Sequence, residues 1–412
     1  MSRRAIALLL CAVLAGLAGC AGKSPAGDRI SGRTMTIYSS MPLHGAARAG
    51  AQAVVNGEAL ALAQIHGRIG PYQIALKSLD DSTVARDGWD PGQATQNARL
   101  AIADRTAIGY LGELESGASA ISLPLLNRAR IPQISPASTA VGLTSSADGA
   151  SPGEPQKYYP TGVRTFARVI PNDEVQAVAQ VRLQQRLGCA RTEVLDDGEV
   201  DGQDAATSFS LAARVAGLRV TGVQAFDPTA SDYSSLTAAA ARSGADCVLI
   251  SAVTGPGAVL LTRQIAAALP AAKIFGSAGL AQNAYTNPAQ GGLPAALDRR
   301  VWITFATLDA GARPAGRAPD AVAPGAYGSP APYASYGYEA MSLLLDAIDR
   351  ATDHGRKAPR RSQVLAAIFD THDRRSVLGT YSIDRHGDTT LRRYGVYRVH
   401  AGRLSFWWAI DA

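Results

Sequence analysis

Short apolar runs alternate with longer stretches of helical spacing through most of this chain. The run TMTIYSS (34–40) reads as a buried strand. The segment after it sets Val55, Ala59, Leu62 and Ile65 on one face, predicting a helix over 48–66. YQIALKSL (72–79) is the next strand, and Asp90 followed by Pro91 has the form of an N-cap and first helical residue. AIGYLGE (107–113), a helix after Ser116 and Gly117, and the short strand PQIS (132–135) continue the series. A loop rich in Gly, Pro and Ser (145–162) interrupts it. A second series follows, with strands TEVLDD (192–197), RVTGVQAF (219–226), CVLIS (247–251) and KIFGS (273–277). Helices are predicted between them over 203–215, 233–243 and 257–268, after a first one over 173–187 that Gly188 closes. This alternation predicts an α/β chain with two doubly wound parallel sheets and right-handed crossovers. The remainder makes no third array. It holds a strand at VWITFATL (301–308), an irregular Pro- and Gly-rich stretch, helices over 335–351 and 362–369, and strand-like runs GTYSI, RRYGVYRV and RLSFWWAI. A tail that returns to both arrays accounts for that order. Two such lobes side by side make a cleft, and open α/β sheets bind ligands beyond the carboxyl ends of their strands.

Composition changes this picture little: 412 residues, 47% apolar and 18% charged, are ordinary for a globular protein and more than one core usually serves. The N-terminus changes it more. Arg3 and Arg4 precede an apolar run (5–17) too short to span a bilayer, which ends at LAGC. The small residues before Cys20 resemble the lipobox of bacterial lipoproteins. That resemblance implies a signal peptide over 1–19, a lipid on Cys20 and a polar tether over 20–32, hence a membrane anchor without a transmembrane helix. Losing residues 1–19 removes two Arg and no acid, lowering the net charge from +6 to +4. The basic residues are scattered, the local cluster HGRKAPRR (354–361) reads as a solvated loop, and no nucleic-acid partner is implied. Cys189 and Cys247 remain after export, each just before a predicted strand. An oxidising compartment favours a disulfide between them over two buried thiols.

Several stretches in order resemble one family: LDDSTVARDGWDPGQATQNA, YLGELESGASAISLPLL, PQISPASTAVGLT, DPTASDYSSLTAAAARSGADCVLI and IFGSAGL. They are similar to the type I periplasmic-binding-fold proteins, specifically the branched-chain amino-acid (Leu/Ile/Val) receptors of ABC transporters. The likeness runs over roughly 33–410. It implies a first lobe from 33–166 and 307–382, and a second from 167–306 and 383–412. Hinge segments are expected near 164–170, 304–308 and 380–384. The family's ligand α-carboxylate is held on the first lobe, and the matching positions are Ser116, Ser138 and Thr139. Backbone amides there and at the start of the helix after Ser116 suit an anion without any side-chain charge.

The second lobe departs from the pattern. Asp201 in DGEVDG stands where the family has a Tyr, Ala278 in GSAGL where it has the acid for the ligand's ammonium, and Val253 and Thr254 where it has another aromatic or polar group. Either Asp201 supplies the missing negative charge, or it is solvated and the ligand has no ammonium. Asp197, Glu199, Glu113 and Glu115 also fall near the expected cleft. Tyr38, Met41, Pro42, Leu43 and His44 offer an apolar wall, unless Met41 and Leu43 pack within the lobe. Tyr327, Tyr333, Tyr336 and Tyr338 either line the cleft or pack a loop, the second being favoured. FWW (406–408) reads as strand and core. No G-x-S-x-G elbow, metal-spaced His pair or phosphate loop is present, and LDDGEVDGQD lacks calcium-loop spacing. No catalytic residue, metal or cofactor is therefore assigned, and a hydrolase is the weakest reading. The resemblance implies a monomeric, lipid-anchored substrate-binding protein that closes on a small carboxylate, an amino acid or related compound, and meets a permease. A ligand sensor of the same fold, uncoupled from transport, is the alternative.

Overall fold

The computed structural model describes residues 27–307 and 333–412. The signal-like N-terminus with Cys20, and Tyr327 in the irregular stretch, lie outside them. Strand β1 (Thr34–Met41) is buried along all but its first residue. The first array continues with α1 (Arg48–Gln64), β2 (Arg68–Ile69), β3 (Tyr72–Asp80), the small hairpin β4 (Ser82–Thr83) and β5 (Gly88–Trp89), and α2 (Pro91–Ala103). It ends with β6 (Ala107–Leu111), α3 (Ser116–Arg128), β7 (Gln133–Ser135) and β8 (Phe166–Arg168). The sheet order is β2-β3-β1-β6-β7-β8, parallel except at the edge strand β2. Helices cover such a sheet on both faces, which is why its central strands read as unbroken apolar runs. Asp90 caps α2 as expected, its Oδ1 accepting from the amides of Gly92 at 2.8 Å and Gln93 at 3.1 Å.

The second array comprises α4 (Asp173–Arg186), β9 (Arg191–Asp196), α5 (Val200–Ala216), β10 (Arg219–Ala225), α6 (Ser234–Arg242), β11 (Cys247–Ser251), α7 (Pro256–Ala268), β12 (Lys273–Gly276), α8 (Asn283–Thr286) and β13 (Val301–Phe305). Then come α9 (Ala334–Ala351), α10 (Arg361–Phe369), the hairpin β14 (Arg374–Ser376) and β15 (Gly379–Tyr381), and finally β16 (Arg393–His400) and β17 (Arg403–Asp411). The second sheet runs β10-β9-β11-β12-β13-β16-β17 and turns antiparallel beyond β13. The tail is thus divided, because α9 packs on α1 of the first array while β16 and β17 extend the second sheet. The chain passes between the arrays after β8, between β13 and α9, and between β15 and β16.

Two features went unread in the sequence. Residues 166–168, expected only as a crossing segment, form the edge strand of the first sheet, and the hairpin β4–β5 sets Trp89 in place. Strands of two or three residues are too short to carry a hydrophobic period. A disulfide joins Cys189 and Cys247, Cα atoms 5.8 Å apart, at the starts of the adjacent strands β9 and β11. Closing a loop of 58 residues restricts the unfolded chain by about 4 kcal/mol in the chain-entropy account.

Helices α1 and α9 meet at glycines. A Cβ on Gly57 would lie 2.1 Å from the Ala334 carbonyl oxygen, and one on Gly337 2.2 Å from that of Val54. Beside this crossing Glu58 is fully buried, and among the described residues neither carboxyl oxygen has a hydrogen-bond partner. Burial pushes its carboxyl up to about 8. An acid raised on folding binds its proton more tightly in the folded chain, so its stability contribution is complete below about pH 4 and is lost as pH climbs to about 8. Glu58→Gln is therefore expected to raise the melting midpoint at pH 8.5 and to leave it unchanged at pH 4, as thermal denaturation at both pH values will show.

Candidate functional site

A cavity of about 720 Å³ lies between the two arrays, bounded by loops at the carboxyl ends of their strands. On the first lobe its wall is built from the start of α3 and the turn after β7. That turn is shaped from behind by Arg168, which is fully buried. Its Nη1 donates to the carbonyls of Ser138 at 3.1 Å and Ala140 at 2.8 Å, and its Nη2 to Thr144 Oγ1 at 2.5 Å. Its Nε meets Asp388 Oδ1 at 2.6 Å, so the charge is paired. With these two carbonyls turned toward Arg168, the amides of 139 and 141 point the other way, and the peptide between them is set by the Thr139 carbonyl accepting from Asp173 N at 3.0 Å.

Those amides are all taken. Thr139 N and Ala140 N each donate to Ser116 Oγ at 3.1 Å, and Val141 N donates to Asp204 Oδ2 on α5 of the opposite lobe. Ser116 N donates to both Asp201 oxygens, at 2.9 and 3.0 Å, and Gly117 N to Oδ2 at 3.5 Å. Asp201 stands in the first turn of α5, so its carboxylate lies between the N-termini of α3 and α5. Unsatisfied amides and the helix dipole favour an anion at each. The anion seat expected for a ligand is filled by the protein's own side chain. A third link between the lobes, Arg86 with Glu199 at 3.6 Å, closes the rim.

The predicted site residues divide accordingly. Thr139, Asp201, Thr254 and Ala278 line the cavity. Ser116 and Ser138 are fully buried and spent inside the first lobe, Ser138 Oγ on Ser119 Oγ at 2.8 Å and the Glu113 carbonyl at 3.2 Å. Thr254 donates its hydroxyl to the Gly279 carbonyl at 2.7 Å and so holds the small-residue floor around Ala278 together. Of the other acids, Glu115, Asp197 and Glu199 reach the cavity, while Glu113 stays beneath it and accepts from the Tyr110 hydroxyl at 2.9 Å. The expected wall after β1 is elsewhere: Met41 is core, and the Tyr38 hydroxyl donates to Asp104 at 2.9 Å. Trp89, Phe226, Phe305 and Tyr333 form the aromatic wall instead. Trp89 lies so close to α3 that a Cβ on Gly117 would come 2.7 Å from its ring, and Tyr333 packs edge-on to Phe305 at 4.7 Å. Arg168, Trp89, Asp173 and Asp204 were missed. Trp89, inside the matching stretch before Asp90, and Asp204, at the end of the acid-rich LDDGEVDGQD, carried a sequence signal.

Burial governs the acids here. It pushes Asp201 up against the pull of the Ser116 and Gly117 amides, and pushes Asp204 to about 7 against the Val141 amide and Arg168. Asp197, bonded to the amides of Glu199 and Val253, is also raised by burial to about 7.

The chain matches the model of periplasmic binding proteins over residues 37–403. No curated protein matches it significantly. Among solved structures, a leucine-binding protein of Thermotoga maritima is 22% identical, with a TM-score of 0.75 over 92% of this chain and 99% of that one. A branched-chain amino-acid transporter substrate-binding protein of Streptococcus pneumoniae, in complex with isoleucine, is 16% identical, with a TM-score of 0.72 over 92% and 99%. An ABC-transporter solute-binding protein of Rhodopseudomonas palustris, in complex with p-hydroxybenzoic acid, is 14% identical, with a TM-score of 0.71 over 92% and 97%.

If separation of the lobes returns Asp201 and Asp204 to water, they titrate near the usual carboxylate range, about 4. Closing raises both, so closing takes up protons. The closed form is favoured at low pH and loses that advantage as pH rises from about 4 to about 7. Small-angle scattering on the ligand-free protein is expected to give a smaller radius of gyration at pH 4.5 than at pH 8. An equal radius removes the two acids from the control of closure.

Proposed function

The chain belongs to the periplasmic binding protein family, and from that membership we propose that it is the solute-capturing component of an ABC transporter. The family is one of binding proteins rather than enzymes, which sets the hydrolase reading aside. The observation that supports capture is the interlobe cavity, closed over by Asp201 and Asp204 of one lobe on the amides of the other. Its size, about 720 Å³, is within the range of small-molecule sites. Opening admits the solute, and closure buries it and presents a joined surface of both lobes to a permease. The LAGC stretch supports a lipid anchor through Cys20 on the extracytoplasmic face.

The relatives with leucine, isoleucine or p-hydroxybenzoic acid in their names bind carboxylates. Here a carboxylate solute reaches the Ser116 and Gly117 amides only by displacing Asp201. Capture itself is independent of that question. A thermal-shift screen of amino acids, amides, amines and short carboxylates is the direct test. A solute at 100 times its dissociation constant stabilises the chain by about 2.7 kcal/mol. Val253→Trp, which places a large ring in the cavity from a half-buried position, is expected to keep the ligand-free midpoint within a few degrees and to abolish every shift. Shifts that survive this substitution place the solute outside the cavity and overturn the reading.

A further inference from the structure

We propose that the solute held in this cavity is an organic cation, an amine or guanidine without a carboxylate, bound between the carboxyls of Glu115 and Asp173 and the neighbouring aromatic rings. The proposal rests on the reading of the cavity as the solute site and names its ligand class. Three polar side chains that line the cavity are more than nine-tenths buried and carry oxygens without a partner. Among the described residues, neither Asp173 oxygen, nor Glu115 Oε2, nor Gln176 Oε1 meets a hydrogen-bond donor. Asp173 and Gln176 stand three apart on α4 and so share one face of that helix. The Thr139 hydroxyl lies beside Asp173 without completing a hydrogen bond. Buried acceptors without donors are costly, and with both carboxyls ionised all four of these atoms are acceptors only. The complement is a ligand rich in N–H groups: an ammonium brings three, a guanidinium five.

Charge and shape agree with this. Glu115, Asp173, Asp197, Glu199 and Asp201 all line the cavity, and the base among its described lining residues, Arg86, is engaged with Glu199 at the rim. Tyr333, near enough to Glu115 and Asp201 to feel both charges, brings a ring surface of the kind that attracts a cation, while Trp89 already has the Arg86 guanidinium 5.7 Å from its ring centre. A ligand carboxylate, by contrast, finds the amides of residues 116, 117 and 139–141 already bonded. The acid that the family places after β12 is absent at Ala278. The negative charge has moved to α3, α4 and α5, and a carboxylate now occupies the anion seat.

The test uses agmatine and putrescine, which carry no carboxylate, against leucine and 4-hydroxybenzoate, in calorimetry and thermal shift on the full chain. Agmatine or putrescine is expected to bind and raise the midpoint, with the two carboxylates silent. Asp173→Asn is expected to weaken that binding at least tenfold while leaving the ligand-free midpoint equal or higher, since it removes an unpaired buried acid. Glu115→Gln should act in the same direction, and serves if the first variant folds poorly. An Asp173→Asn chain with a lower midpoint and unchanged cation binding makes Asp173 a structural residue and overturns the proposal. Silence from both amines also overturns it. Carboxylate binding in that case leaves solute capture standing with a different ligand class, whereas silence from all four probes counts against both.

Discussion

A carboxylate lying between two facing helix N-termini organises the meeting of the lobes. Two helix starts aimed at one another bring like partial charges together, and an anion between them turns repulsion into a bridge. Asp201 supplies that anion from within the chain. Most of the other polar features of the cleft follow from it. Ser116 Oγ is left to serve the amides of the turn after β7, Val141 N is left for Asp204, and of the acids lining the cavity Glu199 is paired with a first-lobe base, Arg86 at the rim. Arg168 supports all of this from behind, because its buried guanidinium grips the carbonyls of 138 and 140 and so turns the amides of 139 and 141 outward.

The arrangement alters what lobe closure means. In a receptor whose anion seat is vacant, the solute supplies the charge that draws the lobes together. Here the second lobe brings its own carboxyl acceptors to the amides of the first, so the contacts that join the lobes exist without any solute. A ligand then shifts the balance only by the interactions it adds to one form over the other. The raised acids around the cavity give such a ligand something to add, since a cation stabilises their ionised forms where burial alone opposes them.

The sequence disclosed the fold far better than the site. Long amphipathic stretches such as 48–64 and buried strands such as 247–251 have periods that survive in one dimension, and the cap at Asp90 announced its helix. The lobe-to-lobe contacts have no such signature. Asp201 was visible as a departure from the family pattern, but its partner, the amide of residue 116, is 85 positions away and identical in every residue type. Arg168 and Asp388 are 220 positions apart, and nothing local marks either as buried. The expectation that Ser116 and Ser138 would face a ligand assumed free hydroxyls, whereas the chain consumes both. Trp89 escaped because the hairpin that presents it is shorter than any hydrophobic period.

The bond between Cys189 and Cys247 sits at the amino ends of β9 and β11, the far edge of the sheet from the cleft. Among the described residues the first lobe has no counterpart. Oxidation therefore stiffens one half of the molecule and leaves the other to its own packing. A chain kept under reducing conditions would have a finished first lobe beside a looser second one, with the amides of α3 waiting for an aspartate whose scaffold is not yet firm.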